Sequence, residues 1–300
     1  MSPTRTQVAI VGAGPAGLLL AHLLHLQGVD SVVLEQRSRE HVEARIRAGM
    51  LEAPTVALLR EVGLAGRLDR EGLPHNGFHL RFDGHTHHLE FAAPAGGSAV
   101  NYGQHELVRD LVAARLATGR PVHFEAEVVA VEDLDTPAPT VRWRSGGREH
   151  TLVADVVAGC DGFHGITRAA IPAGAVTATE RSYPFAWLGI LADTVPAQPM
   201  AMYCAHPDGF ALHSLRGMTR TRMYLQVPAT DRLADWPDDG SGRSCAGAAR
   251  AWTARRWSRA RCWSACSRGC ARWSSRRCST GASSSPATPR TSCPRPARRA

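Results

Sequence analysis

The spacing of apolar residues changes along this chain, and each change predicts an element. Gln7 to Val11 is a short β-branched, apolar run that enters a glycine-rich stretch, Gly12 to Gly17; Leu18 to Gln27 then has helical composition closed by Gly28. A second apolar run, Ser31 to Leu34, ends at Glu35 and completes a strand, helix, strand unit. Apolar residues recurring at three and four predict helices over Leu51 to Glu61 and Glu106 to Ala117. Strand pairs are expected over Val122 to Val131 and over Val141 to Val157, the latter turning at Ser145-Gly146-Gly147. Another sheet-like region runs from Phe185 to Val227. From Gly240 onward branched aliphatic residues vanish, and Trp, Cys, Ser and Arg alternate without a repeat. No amphipathic face can be drawn there, so that segment is not expected to pack.

Charge sharpens the same division. The 300-residue chain carries a formal net charge of +8, which suggests an acidic partner until it is split by position. Residues 1–239 hold 21 Arg and all 27 acidic residues, whereas residues 240–300 hold 14 Arg and no acid. Cysteine divides likewise, with Cys160 and Cys204 in the first part and six more beyond Gly240. Four Trp between Trp252 and Trp273 lie among arginines, but no other feature supports a nucleic-acid partner. The longest early apolar stretch, Leu18 to Leu24, is interrupted by His22 and too short to cross a bilayer, and no basic leader precedes it. A soluble, cytoplasmic protein without a membrane partner is expected.

The chemistry begins at VAIVGAGPAGLLL, where Gly12, Gly14 and Gly17 form GxGxxG between a strand and a helix. The first glycine permits a tight turn, the second lets a pyrophosphate approach the backbone, and the third lets helix and strand pack closely. Helix-start N–H groups meet the phosphates, and Glu35 at the end of the next strand suits ribose hydroxyls. Strand, glycines, helix, strand and acid in this order make a dinucleotide site. His85-Thr86-His87-His88 lacks partner carboxylates at ligand spacing, so it is read as a solvated hairpin and no metal is expected. Cys160 reads as a buried structural thiol.

VGAGPAGLLLAHLL, RIRAGMLE (Arg45 to Glu52), AGCDGFHGITR (Ala158 to Arg168), YPFAWLGILAD (Tyr183 to Asp193) and TRMYLQVP (Thr221 to Pro228) together resemble the flavoprotein aromatic hydroxylases over roughly Thr6 to Asp239. The resemblance implies an α/β fold: an FAD-binding domain with a parallel, Rossmann-like sheet (1–73 and 99–182) interleaved with a mostly antiparallel substrate domain (74–98 and 183–239). It implies FAD in the glycine loop, with Arg45, Gln104 and Asp161 as further flavin-site residues. Arg47, His164 and Arg168 fall on positions near the path of NADH or NADPH, the co-substrate, and Gln36 to His41 is the expected place of choice between the two. The substrate implied is 4-hydroxybenzoate, hydroxylated with dioxygen to 3,4-dihydroxybenzoate. Ser214, Arg216 and Tyr224 match the positions that hold its carboxylate, a planar guanidinium being suited to bidentate pairing. Tyr203 matches the phenol contact and His75 the end of a proton relay to solvent, although on residues alone His75 reads as a surface histidine. Arg222 is expected to support the flavin side, with a strand-edge surface Arg as the equal alternative. The family also suggests a homodimer. A hydroxylase of another phenolic acid, and a non-catalytic remnant of a nucleotide-binding domain, stay open as alternatives.

The tail is the departure. The family continues with a second flavin motif and a substrate-lining loop, and neither is visible after Asp239. Reading the codons of Ser283 to Ala300 one base earlier, as GC-rich codons, is compatible with LFLAGDAAHIVPPTGAKG, which is that motif. Gly240 to Ala246 read the same way is compatible with RIWxELR. Residues 240–300 are therefore expected to be out of frame, and the chain carrying them inactive.

Overall fold

The computed structural model describes residues 4–83, 85–91, 99–192, 196, 199–206 and 209–232. The expectations for 240–300 therefore lie outside the described residues. In chain order the first elements are β1 (Thr4–Val11), α1 (Pro15–Leu26), β2 (Ser31–Leu34), α2 (Arg39–Ala44), β3 (Met50–Leu51), α3 (Ala53–Glu61) and α4 (Gly66–Glu71). Then come β4 (Leu73–His75), β5 (Gly77–Phe82), β6 (His85–Glu90), β7 (Ala99–Asn101), α5 (Gln104–Ala117), β8 (Val122–His123) and β9 (Glu127–Glu132). The last are β10 (Thr140–Ser145), β11 (Arg148–Gly159), α6 (Ile166–Ala169), β12 (Phe185–Ala192), β13 (Ala201–His206), β14 (Gly209–Gly217) and β15 (Arg220–Pro228).

Three sheets result. The first has the order β8-β2-β1-β11-β10-β9; β8, β2, β1 and β11 run parallel, and β10 and β9 are antiparallel additions. The second has the order β12-β15-β14-β13-β5-β6 and is antiparallel except where β13 meets β5. A small third sheet, β3-β7-β4, lies in the chain path between them. The second sheet thus draws β5 and β6 from a segment inserted between elements of the first.

The centre of the parallel part of the first sheet, Val8 to Val11 and Val32 to Leu34, is apolar because both of its faces pack against core residues. On one face Ile10, Val33, Leu18, Leu59, Leu68, Leu111 and Val112 form a core under α1, α3, α4 and α5. On the other, Ala9, Val32, Leu34, Val141, Leu152 and Ala154 form a second core with the β9 to β11 meander. Each large side chain so buried contributes about 1.5–3 kcal/mol. Arg115, 2% exposed, ties the end of α5 to the sheet by donating to the carbonyl of Pro121 at 2.9 Å and to the hydroxyl of Ser31 at 3.2 Å. Burial, then the nearby Arg120, brings its pKa down to about 10, so it remains charged at neutral pH.

Most expected elements are found, with two corrections. Val122 to Val131 is not a strand pair: β8 pairs with β2 at one edge of the sheet, and β9 with β10 at the opposite edge. The break falls at Glu125, whose φ is +55°, where the N–H groups of Glu125 and Ala126 are captured by the carbonyls of Arg37 (3.0 Å) and Glu35 (2.8 Å). The expected helix from Leu51 begins at Ala53, because Met50 and Leu51 pair with β7 instead. The Ser145-Gly146-Gly147 turn is as expected: Ser145 pairs with Arg148, and both glycines have positive φ, as a two-residue type I′ hairpin requires.

His213 in β14 is 4% exposed and neither ring nitrogen has a partner; burial lowers its pKa to about 4. The unfolded chain, with an ordinary histidine near 6.5, binds more protons between these values. Its contribution is thus fully present above about pH 6.5 and is lost as pH falls toward about 4, at up to ~1.4 kcal/mol per pH unit. Urea titrations are expected to show His213→Leu with a shallower acid decline than the parent and no loss of stability at neutral pH. An unchanged slope refutes this assignment.

Candidate functional site

The glycine loop is built by contact limits. Gly12 has φ +105°, and a Cβ there would sit 2.5 Å from the carbonyl oxygen of Cys160. A Cβ on Gly17 would lie 2.0 Å from the carbonyl oxygen of Gly12. At Gly14 nothing lies within 4 Å. The first and third glycines are thus required by the protein's own packing, and the second faces open space at the start of α1. Gly14 is the N-cap of that helix, Pro15 follows, and no side chain caps it. Its first N–H groups and positive dipole end suit a diphosphate. Cys160 is half-buried against Gly17, and burial, then Asp161, raises its thiol pKa.

Glu35 closes the loop from the side. One carboxylate oxygen accepts the Ala13 N–H at 2.9 Å and the other the Arg37 N–H at 2.8 Å. Each oxygen retains a lone pair, so the anchored carboxylate can still accept from ribose hydroxyls. Exposed Arg45 lies in the field of Arg47, Glu35 and Arg37; partial desolvation, then Arg47, holds its pKa below the ordinary value. This positive group in the field of Glu35 fits an anionic cofactor.

Asp161 does something the motif did not disclose. Its carboxylate accepts the Thr167 N–H at 3.0 Å and also bonds the Thr167 hydroxyl, fastening the loop that leads into α6. A Cβ on Gly165 would strike that carboxylate at 2.0 Å, so Gly165 belongs to the same device. His164 and Arg168 are brought together by Phe163: the Arg168 guanidinium lies 4.4 Å over its ring, and His164 meets its edge at 4.9 Å. Phe163 is 64% exposed, and sequence reasoning passed over it because its signal is position, not residue type.

Tyr203, Ser214, Tyr224 and Arg222 lie on one face of the second sheet. Cross-strand partners share a face, and here Tyr203 pairs with Leu212, Leu212 with Tyr224, and Ser214 with Arg222. Gln226 pairs with Trp187 two residues further along. Trp187, Tyr203, Phe210, Leu212, Tyr224 and Gln226 line a cavity of about 570 Å³. Of these, the sequence named Tyr203 and Tyr224; strand alternation from Tyr224 reaches Gln226, while Trp187, Phe210 and Leu212 join them through the register of neighbouring strands. Ser214 and Arg216 lie beyond the cavity lining, toward the cationic end of the face. Arg216 is the extra residue of a β-bulge between Leu215 and Gly217, which re-aims its side chain. Burial, then repulsion by Arg222, lowers the Arg216 pKa, while the charge and hydrogen bond of Tyr224 oppose this. Arg222 lies 4.6 Å over the Tyr224 ring and donates to the carbonyl of Arg47 at 2.7 Å, so it bridges the two parts of the site and is no simple strand-edge Arg. Gln104 opens α5, its N–H donating to the carbonyl of Ala48 at 3.0 Å.

His75 is not a surface histidine. It is 2% exposed in β4, Nδ1 has no partner, and burial lowers its pKa. Its edge contact with Phe91 continues to Phe78 and then Tyr203, at ring separations of 5.7, 5.8 and 5.0 Å. A relay terminus open to solvent is therefore not what this structure shows, and phenyl rings carry no proton. The His85 to His88 stretch forms exposed β6, and among the described residues no three metal-ligating side chains converge.

This combination defines a flavin-binding class of protein: the chain matches the FAD binding domain family over residues 5–273 and belongs to it. Among individual relatives it is 42% identical over 240 residues to the p-hydroxybenzoate hydroxylase of Acinetobacter baylyi, covering 80% of this chain and 59% of that one. A 3-(3-hydroxy-phenyl)propionate/3-hydroxycinnamic acid hydroxylase of Mycobacterium sp. (strain JLS) is 28% identical, covering 78% of this chain and 41% of its own. The chain therefore spans about three-fifths or less of these relatives' lengths. In fold it resembles p-nitrophenol 4-monooxygenase from Pseudomonas putida DLL-E4 (TM-score 0.70, 22% identity, 78% of this chain and 60% of that one). It also resembles the flavin-dependent monooxygenase PieE in complex with FAD and substrate (TM-score 0.69, 24% identity, 82% and 47%).

The glycine geometry separates two roles by experiment. Gly17→Ala is expected to destabilise the fold, since helix and strand must part. Gly14→Ala is expected to leave the melting temperature unchanged and to weaken FAD binding about tenfold or more. Thermal denaturation and flavin-fluorescence titration check both; equal losses of stability would refute the distinction.

Proposed function

We propose that this chain carries the cofactor half and the substrate face of an FAD-dependent monooxygenase that converts 4-hydroxybenzoate to 3,4-dihydroxybenzoate with NADH or NADPH and dioxygen. The supporting observation is the order of polarity along one face of the second sheet. Trp187 and Phe210, with Gln226 between them, give way to Tyr203 and Tyr224, and these to Ser214, Arg222 and Arg216. A flat ring with a phenol at one end and a carboxylate at the other matches that order.

The chain's own groups then have defined tasks. Arg216 and Arg222 repel each other at a partly buried site, so a carboxylate there relieves that repulsion. Arg216 supplies the bidentate fork, and the hydroxyls of Ser214 and Tyr224 complete the carboxylate's shell. The Tyr203 hydroxyl accepts from the phenol, drawing its proton away and enriching the ring. His75, kept neutral by burial, closes the far end of the ring stack behind Tyr203 and takes no proton through it. Gly12, Gly14, Gly17, Glu35, Arg45 and Gln104 would hold FAD, and Arg47, His164 and Arg168 would serve the nicotinamide co-substrate. When bound, FAD supplies the redox and oxygen chemistry that no side chain provides. The reading frame changes after Asp239, and the printed tail removes activity.

Calorimetry of the chain with 4-hydroxybenzoate is expected to show saturable binding, weakened about tenfold in Arg216→Lys, because an ammonium cannot make two parallel bonds. No binding by the parent would sink the substrate assignment. Resequencing the gene across the Asp239 codon is expected to restore an open frame whose product yields 3,4-dihydroxybenzoate, while the printed chain yields none.

A further inference from the structure

The loop from Arg45 to Gly49 is held by three consecutive carbonyls. That of Arg47 accepts from Arg222 Nη1 at 2.7 Å, that of Ala48 from the Gln104 N–H at 3.0 Å, and that of Gly49 from the Tyr102 N–H at 2.6 Å. Gly49 itself is buried. A Cβ placed on it would lie 2.8 Å from Arg216 Nη1, 3.1 Å from Gly103 Cα and 3.1 Å from the Tyr102 carbonyl oxygen. Two of those three neighbours are backbone, fastened to the same loop by the bonds just named. The remaining one is the far end of a flexible side chain, so a methyl group at Gly49 would displace the guanidinium. Arg216 stands on a bulge and its Nε has no partner, so the hydrogen bond with Tyr224 is what the displacement would strain.

We infer that Gly49 is a positioning residue: by having no side chain, it seats the Arg216 head where the loop and the second sheet meet, and so fixes the carboxylate end of the substrate. The significance for binding rests on the reading of Arg216 given above; the seating itself rests only on the contact. A bidentate pair tolerates little displacement, since both N–H bonds must stay aligned. A small shift of the fork therefore costs affinity out of proportion to its size.

Calorimetry on the full chain provides the first test. Gly49→Ala is expected to weaken 4-hydroxybenzoate binding about tenfold, and to weaken it no further in an Arg216→Ala background. Thermal denaturation of the same four proteins provides the second, without ligand. The fall in Tm caused by Gly49→Ala is expected to be smaller when Arg216 is Ala. Binding by Gly49→Ala within about twofold of the parent overturns the inference, as does an equal Tm loss in both backgrounds. If the parent binds no 4-hydroxybenzoate, the functional reading fails while the Tm comparison still decides the seating. Should Gly49→Ala not fold, recovery of folding in the double variant supports the contact, and its equal failure refutes it.

Discussion

The structure depends on how closely α1 can approach the turn that precedes it. With hydrogen at Gly17 the helix rests on the carbonyl of Gly12; with a methyl it would overlap that oxygen at 2.0 Å. Gly12 in turn leaves no room on its far side, where the carbonyl of Cys160 ends β11. The glycine loop and the residue after β11, distant in sequence, are thus locked in contact, and the Gly12 and Cys160 N–H groups donate to the carbonyls of Leu34 and Val11, each at 2.7 Å. The parallel order of β2, β1 and β11 brings these strand ends together, and the start of α1 faces the gap beyond them. Anion affinity at this point follows from packing: unsatisfied helix N–H groups lie beside a glycine with free space.

A second constraint couples that half to the other sheet. Arg47, Ala48 and Gly49 present their carbonyls to Arg222, Gln104 and Tyr102, so one short strap is bonded to β15, to α5 and to the residue after β7. Arg222 therefore acts on both sides, as a ring-stacked cation over Tyr224 and as a backbone donor across the junction. Changing it would disturb the Arg45 to Gly49 strap and the Tyr224 side of the second sheet together.

What the sequence disclosed follows from periodicity and from glycine. The βαβ unit was legible because Val8 to Val11 and Ser31 to Leu34 are unbroken apolar runs around GxGxxG. The hairpin at Gly146-Gly147 was legible because its turn needs two positive φ values. The Val122 to Val131 run misled, since its apolar content continues through Glu125 while the backbone reverses there under the pull of Arg37 and Glu35. Short elements such as α2, α4, α6 and β3 hold too few residues to express a period. In the site, Arg216 and the tyrosines were named through the resemblance of their flanking motifs to the aromatic hydroxylases, since no period or spacing marks them. Burial of His75, the Asp161 to Thr167 clasp and Phe163 depend on neighbours supplied by folding, which a linear reading does not contain.

The composition break at Gly240 bears on the first sheet. Val156 lies in β11, an interior strand between β1 and β10, and pairs with Val8 on the face that carries the α1 core. Val8 is packed against that core, yet Val156 is 56% exposed. An apolar residue in the middle of a sheet asks for a covering layer of branched or aromatic side chains. Residues 240–300 contain no Val, Leu, Ile, Phe or Met to interdigitate with it. Their Trp and Arg arrive without the three and four spacing that would put an apolar stripe on one side of a helix. The glycine loop and the polar face of the second sheet are built from residues before this break, whereas Val156 stands exposed on the α1 face of β11.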